Sequence, residues 1–339
     1  MDVVRIMRPL FALTLVSLFL ATLALLLDRP INAVAPPRVL LPDYAETLTQ
    51  AAQLDITHGK GLSGAQTMRF LLKDEQWLLP QRNDYPANQE LVTETLLAMA
   101  DLKAVSARTA QAKWHRALGL TVPEDLGKAV RFKVTDANGV VLTSLLLGKE
   151  EASEAEAAQD VKTYGLEQRQ FYVRREDASQ SWLARGRLPR NPNMAAWMSQ
   201  ELPRGDADAL QSVSFGKSDK VVMTRVTADS WSLAAGEGWL AGFSSLKPED
   251  VAREDDIEFA TAQPMVLTYE NGLVLTYENL GAATVIWSRI KAETTEAASA
   301  ETRAVAMALN ARYQGWALRF AADQAPILLP GRAQLTAGP

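Results

Sequence analysis

The only two imidazoles in the chain are His58 and His115, and there is no cysteine. A thiolate nucleophile, a thiolate metal site and a disulfide framework are therefore excluded. His58 ends the run LDITHG and His115 lies inside WHRALGL, so the two come from separate elements. A metal site would want several ligands at regular spacing, and neither histidine has a paired carboxylate beside it. A triad would have to rest on one of these histidines, and no serine sits in a Gly-x-Ser-x-Gly elbow. Both histidines read as structural.

Other motifs fail in similar ways. Gly216-Lys217-Ser218 has the form of a phosphate-loop tail, but that loop needs a glycine five residues before the Gly-Lys pair, and position 211 is Gln211. It reads as a turn, as do Gly59-Lys60-Gly61 and Gly64. REDDIE, Arg253 to Glu258, gathers four carboxylates without the glycine of a calcium loop, and reads as a solvated edge before a strand at Phe259. No catalytic residue, cofactor or metal ligand is expected. Among the eight tryptophans, Trp239 lies between nearby glycines in AGEGWLAGF and is a candidate partner contact on a loop. Trp197, with Met194 and Met198, is either inter-module core or a second contact, and core is the favoured reading.

The elements that would position these residues begin with an apolar run. Residues 9–27, from Pro9 to Leu27, carry no charge and would span about 28 Å as a helix, close to the hydrocarbon core of a bilayer. Arg5 and Arg8 precede it, which favours a cytoplasmic N-terminus (1–8) and an exported remainder. Ala33-Val34-Ala35 resembles a signal-peptide cleavage site, but Pro36 follows and the apolar run is long for a signal. A retained single-pass signal anchor is expected, followed by a Pro-rich stalk over 28–48. The net charge of −5 and pI near 5.3 give no basic face of the kind nucleic acid would favour.

The remaining chain contains a repeat. NGVVLTSLLLG, from Asn138 to Gly148, and NGLVLTYENLG, from Asn271 to Gly281, share seven identities in eleven positions. Asn138-Gly139 and Asn271-Gly272 predict two-residue type I′ hairpins, pairing Val134 with Thr143 and Leu267 with Thr276. Upstream, Trp77 and Trp231 occupy equivalent strand positions. Leu145, Leu146 and Leu147 imply a strand covered on both faces, whereas Glu278 and Asn279 imply a half-exposed one. Asn88 is a helix N-cap, with Val92, Leu96, Met99, Leu102 and Val105 on one apolar face. A last helix over about 299–313 would bury Val305 and Leu309, with Gly315 at its C-terminal end. The predicted class is α+β: a transmembrane helix, then two repeated modules of antiparallel strands each carrying a helix. Their boundaries are 49–190 and 205–322, with a linking helix in 191–204 and a tail over 323–339. The acidic stretch Glu150 to Asp160 reads as a solvated loop or short exposed helix.

Several segments taken in order resemble a bacterial family known as domain of unknown function 4340. They are the N-terminal anchor, EQWLL, YPANQELVTETLLAMADLKAV, ALGLTVPEDL, the hairpin end LLLGKE, FYVRRE and ARYQGWALRF. The acidic insert departs from the tighter loop such a likeness would lead one to expect. The resemblance implies an extracytoplasmic protein anchored in the bacterial inner membrane, encoded beside ABC transporters similar to those of gliding motility. It supplies no catalytic residues. The function it implies is a non-enzymatic accessory subunit that packs against transporter membrane subunits and serves as an interaction platform. The alternative is a lipid-, glycan- or peptide-binding module with a cleft between its two repeats.

Overall fold

The computed structural model describes residues 38–151 and 169–336, apart from positions 219, 228, 229, 234 and 283. The apolar run 9–27 and most of the acidic stretch lie outside these residues. Among the described residues no helix is long and apolar enough to cross a membrane.

The first sheet has ten strands: β1 (Arg38–Val39), β2 (Ala51–Gly59), β3 (Ala65–Lys73), β4 (Gln76–Leu79), β5 (Tyr85–Pro86), β6 (Lys103–Ala107), β7 (Val130–Asp136), β8 (Val141–Glu150), β9 (Arg169–Arg175) and β10 (Ser181–Gly186). The second has eight: β11 (Leu210–Phe215), β12 (Val221–Thr227), β13 (Ser230–Trp231), β14 (Asp250–Arg253), β15 (Gln263–Tyr269), β16 (Leu273–Ala282), β17 (Val285–Thr294) and β18 (Trp316–Ala321). All pairings are antiparallel, and the class is α+β.

The two sheets follow one plan. The first runs β1-β6-β10-β9-β8-β7-β2-β3-β4-β5, and the second runs β14-β18-β17-β16-β15-β11-β12-β13. With the terminal β1 and β5 set aside, the orders match strand for strand in both space and sequence. Trp77 on β4 and Trp231 on β13 fall at corresponding places, as their spacing implied. A helix links the equivalent strands in each sheet: α2 (Gln89–Ala100), which follows a short α1 (Pro42–Thr47), and α5 (Gly236–Ser245). Between them lie α3 (Ala112–His115) and α4 (Met194–Trp197); α6 (Ala300–Tyr313), α7 (Ala325–Leu328) and α8 (Arg332–Thr336) follow.

Asn88 caps its helix as read, and Ser299 caps the last one. The Asn88 side chain accepts from the Leu91 N–H at 3.1 Å, and that of Ser299 from the Thr302 N–H at 3.1 Å. Gly315, with φ +82°, follows α6. Val105 belongs to β6 rather than to α2. On α6 the buried residues are Thr302, Ala306 and Tyr313; Leu309 is half-buried against the core as expected, while Val305 is exposed.

The hairpins depart from the type I′ expectation. Asn138 and Asn271 keep negative φ, and only Gly139 and Gly272, at +85° and +83°, cross to the left-handed side. The Gly139 N–H reaches back to the Asp136 carbonyl and the Gly272 N–H to that of Tyr269, which makes three-residue loops ending in a glycine bulge. In β15–β16, Leu267 pairs Leu275 and Val266 pairs Thr276. In β7–β8, Val134 pairs Thr143 as expected, but only after a bulge between Val134 and Thr135. One extra residue on a strand moves every later side chain to the opposite face. Thr143, Leu145 and Leu147 therefore point to the main core, whereas their sequence-aligned partners Thr276, Glu278 and Leu280 do not. Leu146 is equally buried, in a small cluster on the other face, so this strand is covered on both sides. Asn279 is also buried, donating to the Leu328 carbonyl of α7, so the β16 strand is not simply half exposed.

Both expected module limits move outward. Residues 38–48 are not part of a free stalk: β1 pairs with β6, and Leu41 and Tyr44 are buried in the core. The tail after 322 also packs, through Leu328 and Leu335. Only Met194–Trp197 of the expected linking helix is helical. Phe259 lies buried in a turn, and the next strand starts at Gln263. One continuous apolar cluster contains residues of both sheets. Tyr85 of β5 meets Trp316 of β18 edge-on at 5.1 Å, and the Arg253 guanidinium lies 3.9 Å from the Trp316 ring centre. The junction between modules is packed by these side chains.

Candidate functional site

A cavity of about 720 Å³ lies wholly within the first module, between the 116–128 segment, the end of β8 and Arg190. The segment that roofs it is fastened at several points. His115 Nε2 is 3.0 Å from the Ser179 carbonyl, the Leu120 N–H donates to the His115 carbonyl at 2.9 Å, and the Lys149 N–H donates to that of Leu118 at 2.9 Å. Leu120, Ala129 and Leu146 form a small buried cluster that presses this segment onto the outer face of the sheet.

Two glycines make the close approach possible. A Cβ on Gly127 would stand 2.0 Å from the Thr121 carbonyl oxygen, and one on Gly148 would stand 2.3 Å from that of Leu118. A side chain at Gly148 would push the covering segment off the strand, and one at Gly127 would clash with that segment's own backbone at Thr121 and Val122. Gly281, the repeat partner of Gly148, has a related part, since a Cβ there would press on Leu329 of the C-terminal segment at 3.1 Å. The shared glycine thus marks where each sheet lets a covering segment lie close.

The charge around this cavity is one-sided. Arg116, Lys128, Lys149 and Arg190 line it, with Asp125 the single acidic residue of the lining. Arg190 pairs with Glu150 at 3.1 Å and donates to the Gly148 carbonyl, while its buried Nε has no partner among the described residues. Burial lowers the Arg190 pKa. His58, on neighbouring β2, is 6% exposed and its Nε2 has no partner among the described residues. Its pKa falls to about 4, first through burial and then through the positive charges of Lys60 and Arg190. His58 and His115 are both placed by the fold on separate elements, as their sequence contexts implied.

The residues singled out by sequence are dispersed over the molecule. Trp77 is buried in the first module and Trp231 half-buried in the second; Asn138 with Gly139 and Asn271 with Gly272 stand at the two hairpin tips. Trp197 is fully buried, 5.2 Å from Phe70, and its Nε1 donates to the Asn191 carbonyl. It is core, as favoured. Trp239 corrects its expectation: it is 4% exposed on α5, stacked on Phe243 at 5.1 Å, with Nε1 donating to the Ile327 carbonyl at 2.9 Å. It offers no surface to a partner. Gly216, at φ +85°, makes a turn after β11, and Glu254–Asp256 form one turn of 3₁₀ helix.

The four cations of the cavity were not singled out by sequence. They come from three separated segments, so only their convergence in space marks them.

No curated protein and no solved structure matches this chain. The family described as Domain of unknown function (DUF4340) matches residues 77–263, from β4 into the first residue of β15 and so across parts of both sheets. That span is more than half of the 339 residues, and the chain belongs to the DUF4340 family.

Proposed function

We propose that this protein is a non-enzymatic accessory subunit of an ABC-type transporter, anchored in the bacterial inner membrane by residues 9–27 and acting outside the cytoplasm as a rigid interaction platform. The observation that carries this reading is the packed junction: one apolar cluster runs through both sheets, and Arg82 and Asp250 pair across it at 2.6 Å. A body joined in this way suits a role as a fixed surface better than a hinged clamp around a ligand. The placement of the histidines also supports a structural part for both. His115 is bound to a backbone carbonyl, and His58 is buried within a strand.

The position of β1 adds a geometric consequence. With Arg38–Val39 fixed to β6, only residues 28–37 remain to connect the sheet to the proposed anchor. Ten residues reach at most about 35 Å, so the platform would stand close to the membrane surface and within reach of a transporter's extracytoplasmic loops.

The test is a mild-detergent pull-down of the full-length tagged chain, repeated with residues 1–37 replaced by a cleavable signal so that Leu41 and Tyr44 stay in the core. Transporter subunits are expected with the anchored form. Their recovery with the anchored form only would assign the contact to the helix, and recovery with both forms would assign it to the sheets. Purification of both forms alone would overturn the reading.

A further inference from the structure

Three exposed cations, Arg116, Lys128 and Lys149, and the partly buried Arg190 surround one cavity in a chain whose net charge is −5. Among the described residues, Arg190 alone of the four is in an ion pair, with Glu150. Like charges gathered on a concave wall repel one another and concentrate the field in the cavity, which favours a multivalent anion there. The roof is held by close backbone packing at Gly127 and Gly148, so the four charges sit on a supported frame.

We propose that this cavity binds a phosphate-bearing anion, with Arg116, Lys128, Lys149 and Arg190 as its charge partners. Several cations around one cavity match a group that carries more than one charge on several oxygens. An arginine fork can engage two of those oxygens at once. Arg190 also has a buried Nε that donates to no other described residue. His58 supplies an internal reporter, because its pKa is depressed in part by Arg190. An anion bound beside Arg190 would relieve that repulsion and raise the His58 titration midpoint. This site stands apart from the platform reading and does not depend on it. The same chemistry could come from a lipid headgroup or from a soluble phosphate compound.

The experiment uses the full-length protein in neutral detergent micelles, titrated with inorganic pyrophosphate in a calorimeter at low salt. Saturable binding is expected. The double substitution Lys128→Glu, Lys149→Glu removes two exposed charges, and it should weaken binding tenfold or more at unchanged circular dichroism. Lys217→Glu, on an exposed turn of the second module, should leave binding within twofold. Proton NMR of the His58 ring should show its midpoint rising with pyrophosphate in the wild type and not in the double variant. Nanodiscs then separate the sources. Competition by phosphatidic acid discs but not phosphatidylcholine discs would assign a lipid headgroup, and equal affinity in both would assign a soluble phosphate. Absence of saturable binding at millimolar pyrophosphate would overturn the proposal. So would an equal loss in Lys217→Glu, which would show a general charge effect.

Discussion

Arg82 and Asp250 lie 168 residues apart in the chain and meet as a two-pronged ion pair, with Nε to Oδ1 at 2.6 Å and Nη2 to Oδ2 at 3.1 Å. Arg319 approaches the same carboxylate at 3.8 Å. Both members of the main pair are partly buried, so their attraction is less screened than on an open surface. Asp250→Ala should lower the unfolding free energy by about 1–3 kcal/mol, because it leaves Arg82 half-buried without its carboxylate. A double-mutant cycle with Arg82→Ala, read by urea denaturation, should give a coupling of about 1 kcal/mol. A coupling of zero would mean the pair adds nothing to the junction.

The primed turn that the Asn-Gly pairs promised occurs elsewhere. Between β3 and β4 the two-residue loop is Asp74-Glu75, with φ of +47° and +64°, and Lys73 pairs with Gln76 across it. Neither residue is glycine, so the backbone sits in a left-handed well that a Cβ disfavours by about 1 kcal/mol. Glu75→Gly should therefore stabilise the protein by roughly 0.5–1 kcal/mol, visible as a higher melting temperature. A lower melting temperature would show that the Glu75 side chain contributes more than the strain takes away.

His58 should make stability depend on acidity. Its folded pKa, about 4, lies below the ordinary value of 6.5, so between those limits the unfolded chain holds the extra proton. Stability is then complete above about pH 6.5 and declines as the pH falls towards 4, by as much as roughly 3 kcal/mol. Urea denaturation at pH 7.5, 5.5 and 4.5 on the wild type and on His58→Gln would check this. The variant should lose much of the decline; parallel curves would remove His58 from the account.

Trp239 should behave as a core residue. Phe215 meets it edge-on at 5.7 Å, Phe243 stacks on it, and its indole N–H is bonded to Ile327. Trp239→Ala should destabilise by about 3–5 kcal/mol, with Trp239→Phe intermediate because the Ile327 carbonyl loses its donor. Thermal melts of both variants would decide it, and near-native stability of the alanine variant would return Trp239 to the surface.

The sequence carried the elements whose signals are local. Asn88 caps a helix, the two Asn-Gly stretches turn strands, and Leu145 to Leu147 announce a strand covered on both sides. What it hid depends on contacts between distant segments. Gly236 and Gly242 around Trp239 look like loop residues, yet in α5 they let Trp231 and Ile327 come close: a Cβ on either would stand 2.2 Å from its neighbour. Leu41 and Tyr44 belong to no periodic run and are flanked by prolines, so nothing local shows that they are buried. The bulge between Val134 and Thr135 cannot be read from a pattern that stays in phase with its repeat. The basic cavity is illegible for the same reason, since Arg116, Lys128, Lys149 and Arg190 come together only after the sheet has formed.

The way the sheets end has a bearing on how other proteins could attach. β5, two residues long, closes one border of the first sheet, and the Arg82 turn beside it is pinned to β14 at a border of the second. The other two borders are β1 and β13, also two residues each. Unpaired main-chain donors and acceptors at a border are what an incoming strand needs in order to extend a sheet, and among the described residues the border strands are only two to four residues long. Recruitment by strand addition, and uncontrolled polymerisation by the same route, would find little backbone to grip. Association would instead be written in side chains on the broad faces, where single substitutions can tune it without disturbing the ladder beneath.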